Sequence, residues 1–144
     1  MIKFIQAEDV LTLRNEILRE GKLSLKECVF EGDNEDSTFH LGCIIDNEII
    51  SVASFYWRGK DEFPGVGYQL RGMATAKGFQ GKSYGNRLLN FALVYLRGQK
   101  VNYLWCNARE NALKFYLSVG FEFISDSFEI PGIGTHRTMY LKIK

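Results

Sequence analysis

The spacing of apolar side chains predicts alternating strands and helices along the chain. Residues 2–6 alternate as a short strand, and residues 8–20 place apolar side chains at helical spacing. Gly21 follows this run, and glycine is typical just after a helix end. Residues 23–37 are polar and acidic, and they predict a loop with one short helical turn.

A β-hairpin is predicted next. Residues 39–46 and 48–57 read as two strands joined at Asp46-Asn47, a pair of residue types that favours a tight turn. Pro64-Gly65 then interrupts the chain before a third strand over residues 66–76.

Helices and strands alternate in the second half of the chain. Residues 83–98 carry apolar side chains over most of a helical circumference, so this helix should be largely buried. Residues 101–106 form a continuous apolar strand. Asn107 and Glu110 then have the spacing of a capping box, which predicts a helix that starts at Asn107 and ends at Gly120.

The fold class follows from the order of these elements. Residues 121–130 and 135–143 predict the last two strands, joined across Pro131-Gly132, and complete the order β-α-β-β-β-α-β-α-β-β. Antiparallel neighbours come first, and a crossover helix then produces one parallel pair. We therefore expect an α/β (α+β) fold with a mixed, mostly antiparallel sheet flanked by helices. The length of 144 residues suits a single domain, 1–144.

Composition limits the class of protein further. Apolar residues make up 46% of the chain and aromatic residues 14%, so a packed globular fold is expected. The three cysteines contain no CxxC pair and are odd in number, which argues against a disulfide framework or a zinc site. The sequence shows no signal peptide and no apolar run long enough to cross a bilayer. We expect a cytoplasmic protein without a membrane partner.

Charge is distributed unevenly along the chain. Residues 63–109 contain no Asp or Glu, although the whole chain has 17 acidic residues. This segment instead carries seven basic residues: Arg71, Lys77, Lys82, Arg87, Arg97, Lys100 and Arg109. The net charge is only +1, so a small polyanion is a better partner for this segment than a nucleic acid.

A glycine-rich turn inside the basic segment predicts a phosphate site. Residues 76–85 lead from a predicted strand into a predicted helix, where free backbone N–H groups hold phosphate oxygens. Residues 76–83 also match a relaxed P-loop pattern, A-x-x-x-x-G-K-S. A nucleotide-binding P-loop needs a later strand that ends in Asp, whereas the next strand here ends in Trp105-Cys106-Asn107.

The same loop resembles that of the GCN5-related N-acetyltransferase (GNAT) family. Residues 80–85, QGKSYG, are similar to its Q-x-x-G-x-G/A signature, with Ser83 at a position where glycine is usual. Residues 70–75 look like its fourth strand, and residues 112–121 resemble its A-x-x-[FL]-Y-x-x-x-G-F element. The resemblance covers roughly residues 39–144.

The resemblance implies a site for acetyl-CoA as cosubstrate, with no metal, between a splayed pair of parallel strands. Residues that match the family pattern would contact the cofactor: Met73, Ala74, Thr75, Gln80, Gly81, Lys82, Ser83, Tyr84, Gly85, Asn111 and Phe115. The family often has Asn three residues before Ala112, where this chain has Arg109, so the contact from Arg109 or from Asn111 is left open.

The implied reaction is direct transfer of an acetyl group to a primary amine. The resemblance makes Tyr116 the acid that protonates the departing thiolate, although its helical spacing also suits a core aromatic. A base is not obvious from the sequence. His136 and His40 are the candidates, because histidine takes up a proton near neutral pH.

The acceptor would be a small-molecule amine or a peptide amine. An acidic cluster could attract a cationic amine or simply form a solvated loop; it comprises Glu27, Glu31, Asp33, Glu35 and Asp36. A non-catalytic acyl-CoA-binding or sensing module of the same fold is the alternative function. The oligomeric state is open, with a homodimer as one option.

Overall fold

A computed structural model describes residues 1–143, which contain an eight-stranded mixed sheet. The strands are β1 Ile2–Ile5, β2 Phe39–Ile45, β3 Glu48–Trp57, β4 Gly67–Thr75, β5 Tyr103–Arg109, β6 Glu122–Phe123, β7 Phe128–Ile130 and β8 Gly134–Lys142. The sheet order is β1-β2-β3-β4-β5-β8-β6, with β7 paired to β8. The β4–β5 pair is parallel and the other pairs are antiparallel, which confirms the predicted fold class.

Helices cover both faces of the sheet. The N-terminal helical segment comprises a 3-10 turn Ala7–Val10, an α-helical turn α1 Leu11–Leu13 and a π turn Arg14–Leu18. The other helices are a 3-10 turn Lys26–Cys28, α2 Tyr84–Gly98, a 3-10 turn Glu110–Ala112 and α3 Leu113–Val119. The larger apolar core lies between the sheet and helices α2 and α3, and a smaller one packs the N-terminal helical segment on the sheet. No helix within residues 1–143 is long and apolar enough to cross a membrane.

The parallel strands separate halfway along their length. Only Gly67–Gln69 of β4 pair with β5, opposite Tyr103–Trp105. From Leu70 to Thr75, β4 has no partner on β5, while β5 continues as a partner of β8. The expected splay of this pair is therefore present, and it opens a gap in the middle of the sheet.

A β-bulge interrupts β4 beside this gap. The register between β3 and β4 shifts between Val52 and Ser54, opposite Gly72 and Met73. Gly72 has a φ of +67°, in the left-handed region that favours glycine. A Cβ atom there would lie 2.9 Å from Nε of Arg14, so the bulge also permits a close approach of that side chain.

Two predictions about the second half of the chain are wrong. Asn107 does not cap a helix, because it lies in β5 opposite Thr138 of β8 and accepts a hydrogen bond of 2.8 Å from the Thr138 hydroxyl. The 3-10 turn instead begins at Glu110, with Arg109 at its N-cap and no side-chain cap. The long strand predicted for residues 121–130 is two short strands, β6 and β7, on different stretches of β8.

Candidate functional site

The gap between β4 and β5 opens into a cavity of about 680 Å³. Its wall is built from the ends of both strands, the loop before α2, one side of α3, the N-terminal helical segment and the β7–β8 turn. Four arginines and one histidine line it, and none of the described residues in the wall is Asp or Glu. The cavity therefore favours an anionic ligand over a cationic one.

The loop between β4 and α2 has the backbone conformation of an anion cradle. Gly78, Gly81 and Ser83 have φ values of +88°, +73° and +69°. These left-handed residues precede α2, a helix of 15 residues whose positive dipole end lies here, and backbone of this kind can direct N–H groups at an anion. Gln80 fixes the loop to β4, since its side-chain amide donates a hydrogen bond of 2.9 Å to the Thr75 carbonyl.

Gly85 allows α2 to begin close to β4 and α3. A Cβ atom at this position would lie 3.0 Å from Cε of Met73 and 3.2 Å from Cζ of Phe115. A larger residue at this position would require the ends of these two side chains to move by a few tenths of an ångström. Glycine therefore allows α2 to begin in close contact with Met73 and Phe115.

Almost all residues that the sequence assigned to the cofactor line this one cavity. They are Met73, Ala74, Thr75, Gln80, Gly81, Ser83, Tyr84, Gly85, Asn111 and Phe115. Lys82 is exposed and lies outside the cavity wall, so any contribution from it is electrostatic and at long range. Arg109 and Asn111 both line the cavity, which leaves the choice between them open.

Tyr116 projects from α3 into the cavity wall and is 6% exposed. Its ring packs edge-on against Phe115 and Phe121, with centroid distances of 5.1 and 5.4 Å. Burial raises the pKa of the phenol well above its usual range, Cys106 adds to the rise, and Arg109 opposes it. The phenol therefore stays protonated at neutral pH.

His136 lies on β8 and lines the cavity from the opposite side. Its Nδ1 is 2.8 Å from the Gly134 carbonyl oxygen. A carbonyl only accepts, so Nδ1 carries the proton in this tautomer, which is assigned from the hydrogen bond. Within residues 1–143, Nε2 has no hydrogen-bond partner, which leaves its lone pair free to accept a proton.

His40 does not line the cavity. Its Nε2 donates a hydrogen bond of 2.9 Å to the Asp33 carbonyl, and its Nδ1 lies 2.6 Å from Oγ of Ser54. Burial lowers the pKa of the ring and outweighs the opposing effects of the Asp33 hydrogen bond and the Asp33 charge, and Arg14 adds to the lowering. Because both ring nitrogens form hydrogen bonds and His40 lies outside the cavity wall, the structure does not support a role for His40 as the base.

A buried ion pair organises the region around His40. Arg14, which begins the π turn, is 1% exposed and donates hydrogen bonds of 2.7 and 3.0 Å to the two oxygens of Asp33. It also donates to Ser54 and Tyr56, and the Tyr56 hydroxyl donates to Asp33. Burial alone would raise the pKa of Asp33, but the hydrogen bonds from Arg14, Tyr56 and the Phe30 amide outweigh it and lower that pKa.

This network changes the interpretation of the acidic cluster. Asp33 points inward and neutralises Arg14, while its neighbours Glu31, Glu35 and Asp36 are exposed. None of them lines the cavity. Attraction of a cationic amine by this cluster would have to act from outside the cavity wall, and it stays a prediction.

Sequence reasoning missed three neighbours of the bulge as parts of the site. Gly72, Arg71 and Phe30 all line the cavity. Isolated glycine inside a predicted strand is a recognised signal for a bulge, so Gly72 could have been found. Phe30 lies in a loop with no periodic pattern, and its contact with Arg71 depends on tertiary folding.

Comparison with known proteins identifies the family and the fold of this chain. The acetyltransferase (GNAT) family is recognised over residues 7–121. An uncharacterized N-acetyltransferase, YitI of Bacillus subtilis (strain 168), is 35% identical over 144 residues, covering 99% of this chain and 96% of that protein.

Solved structures share the fold at low sequence identity. An aminoglycoside 6'-N-acetyltransferase complexed with coenzyme A superposes with a TM-score of 0.79 at 12% identity, covering 100% of this chain and 97% of that one. FeeM, an N-acyl amino acid synthase from uncultured soil microbes, gives a TM-score of 0.80 at 13% identity, with coverages of 99% and 95%. At these identities the likeness establishes the fold alone.

Within residues 1–143 no group of three or more His, Cys, Asp or Glu side chains is placed to hold a metal ion. A reaction without a metal stays a prediction.

Proposed function

This chain belongs to the acetyltransferase (GNAT) family, and on that premise we propose that it transfers an acetyl group from acetyl-CoA to a primary amine by direct attack. The observation that carries the proposal is the cavity between the splayed strands. It joins an open strand edge on β4, an anion-binding loop and a protonated phenol in one continuous space. The nucleotide-binding alternative has no support, because the sheet is mostly antiparallel and β5 carries no Asp.

The residues present fit coenzyme A. The left-handed residues of the 78–83 loop would direct N–H groups at the pyrophosphate. β4 lacks a partner on β5 after Gln69, which leaves backbone groups from Met73 to Thr75 available to an extended amide-bearing arm. Acetyl-CoA supplies an acetyl group activated as a thioester; Met73, Thr75 and the loop would hold it.

Two side chains would handle the protons. The free Nε2 of His136 is positioned to accept the proton that the amine must lose, directly or through a water. The Tyr116 hydroxyl would donate a proton to the departing sulfur. The burial that raises the pKa of Tyr116 raises the basicity of a thiolate formed in the same cavity, so the two groups stay matched.

Replacement of Tyr116 by Phe tests this assignment. We expect nearly unchanged affinity for acetyl-CoA and a fall in turnover on the order of 10²-fold, the usual contribution of one positioned acid. Calorimetry measures the affinity, and release of free thiol measures turnover.

Tyr95→Phe is the matched control, because Tyr95 lies on α2 outside the cavity wall. Turnover of Tyr116→Phe equal to that of Tyr95→Phe would make Tyr116 a core residue. Tight binding of acetyl-CoA without thiol release for any amine would instead assign the chain to the non-catalytic acyl-CoA-binding class.

A further inference from the structure

Arg71 lines the cavity and has no ion-pair partner among residues 1–143. It immediately precedes the Gly72 bulge and is partly buried. Its guanidinium stacks on Phe30, with Cζ 4.4 Å from the ring centroid, and Arg14 contacts the same ring at 3.8 Å. Across residues 1–143 the Arg71 side chain forms neither an ion pair nor a hydrogen bond.

The charge of Arg71 is not balanced by its surroundings. Burial lowers its pKa, Arg58 and Arg14 lower it further, and the opposing effects of Tyr56 and Asp33 do not restore it. The carboxylate of Asp33 already accepts two hydrogen bonds from Arg14. Removing a guanidinium from water without an anionic partner costs free energy, and a bound anion would recover it.

The phosphates of coenzyme A cannot provide that anion if they bind at the loop. The loop follows Thr75, four residues beyond Arg71 on the same strand. At about 3.3 Å per residue, Thr75 lies roughly 13 Å from Arg71 along β4. The part of the cofactor that spans this distance is uncharged.

Two further arginines and several aliphatic side chains line the same cavity. The arginines are Arg109 and Arg19; burial and then Arg19 lower the pKa of Arg109, and Tyr116 opposes them. The aliphatic side chains are Ile17, Leu18, Ile130 and Ile133. The surface thus offers a positive field beside an apolar flank.

We propose that the acceptor is a primary amine that also carries an anionic group, a carboxylate or a phosphate, and that Arg71 binds this group. The proposal rests on the proposed acetyl transfer and narrows its substrate class. The aliphatic flank favours an acceptor with an apolar side chain, as in an apolar amino acid.

Matched acceptor pairs test the proposal. Leucine and phenylalanine are compared with leucinamide and phenylalaninamide, and O-phosphoethanolamine with ethanolamine. For at least one pair we expect the anionic member to have the lower KM. Arg71→Gln should raise the KM of that member about ten- to a hundredfold, the usual worth of a charge-assisted hydrogen bond.

The neutral member and acetyl-CoA should keep their KM values in Arg71→Gln. For each acceptor, the KM of Arg71→Gln is divided by the KM of the wild type. Because the same amine appears in both values, this ratio does not depend on the different basicity of the paired amines. Arg71→Lys should recover part of the loss, and Arg97→Gln, an exposed change on α2 outside the cavity wall, should leave all values unchanged. The pair whose anionic member shows the larger rise in KM in Arg71→Gln identifies the anion as a phosphate or a carboxylate.

The outcomes separate the two proposals. Acetylation of neutral amines as efficiently as anionic ones, with Arg71→Gln equal to wild type, overturns the anion site and leaves acetyl transfer standing. If no amine is acetylated, acetyl transfer fails, and calorimetry with the coenzyme A complex decides on Arg71. Tighter binding of an anionic member that Arg71→Gln abolishes then supports the site, and equal binding within every pair overturns it.

Discussion

Replacing Asp33 by Asn is expected to destabilise the fold strongly, because it removes the negative partner of a fully buried arginine. Arg14 is 1% exposed and Asp33 5% exposed, and two hydrogen bonds of 2.7 and 3.0 Å join them. The Asn amide has the shape of the carboxylate but carries no charge. It keeps one accepting oxygen and places an N–H₂ group against the donors of Arg14 and Tyr56.

The magnitude follows from the burial of the remaining charge. Removing one member of a buried ion pair costs about 3–5 kcal/mol, and the oxygen that Asn retains places this change near the lower end, about 3 kcal/mol. Urea-induced unfolding at pH 7 measures it. With an m-value of roughly 1.5–2 kcal/mol/M, the midpoint should fall by about 1.5–2 M.

The pH dependence gives a second readout of the same pair. Because the pKa of Asp33 is lower in the folded than in the unfolded protein, the carboxylate contributes its full stability above the unfolded pKa of about 3.9. That contribution is lost as the pH falls through the lower folded pKa. The difference in unfolding free energy between wild type and Asp33→Asn should therefore have its full size at pH 6–7 and become smaller below about pH 4.

Asp36→Asn is the matched control, since Asp36 belongs to the same acidic segment but is exposed. Its unfolding free energy should stay within about 0.5 kcal/mol of wild type. A cost for Asp33→Asn below about 1 kcal/mol, or one that does not depend on pH, would refute the reasoning about the ion pair.

Three further predictions concern the loop and the histidines. Ser83→Gly should raise the unfolding free energy by about 1 kcal/mol, because Ser83 has a φ of +69°, and it should change coenzyme A affinity less than tenfold; a larger loss would make the hydroxyl a phosphate ligand. His136→Ala should raise the acceptor KM or lower kcat without changing coenzyme A affinity, and normal acetylation by this variant from pH 6 to 9 would mean that the proton leaves through water. His40→Ala should mainly lower the unfolding free energy, by about 2 kcal/mol, because it removes two buried hydrogen bonds. Lys82→Glu should weaken coenzyme A binding three- to tenfold at low salt and less at high salt, while Lys26→Glu should have no effect; equal effects would remove Lys82 from the site.

Local patterns in the sequence were sufficient for most of the fold. The hairpin turn at Asp46-Asn47 is confirmed, with both residues at positive φ, because that turn depends on neighbouring residues alone. The prediction that Asn107 caps a helix is wrong because this local preference is weaker than the pairing of β5 with β8, whose residues lie about thirty positions away in the sequence.

In the candidate site, too, features set by local sequence could be predicted and contacts between distant residues could not. The resemblance to the GNAT family assigned the cofactor positions, and all of them except Lys82 line one cavity; their contact with the cofactor stays a prediction. Arg14 and Asp33 are 19 residues apart and come from a helical segment and a loop, so no spacing rule joins them. The sequence predicts that Arg14 lies in the helix over residues 8–20, but it does not predict the ion pair with Asp33.

The central claim, acetyl transfer to an amine, is tested most directly by stoichiometry. The protein is incubated with acetyl-CoA and the amine panel, free thiol is counted, and acetylated amine is measured by mass spectrometry. We expect one acetylated amine for each thiol released with at least one acceptor, and a rate lowered on the order of 10²-fold in Tyr116→Phe. Bound acetyl-CoA that releases no thiol, or thiol release without acetylated amine, would contradict it.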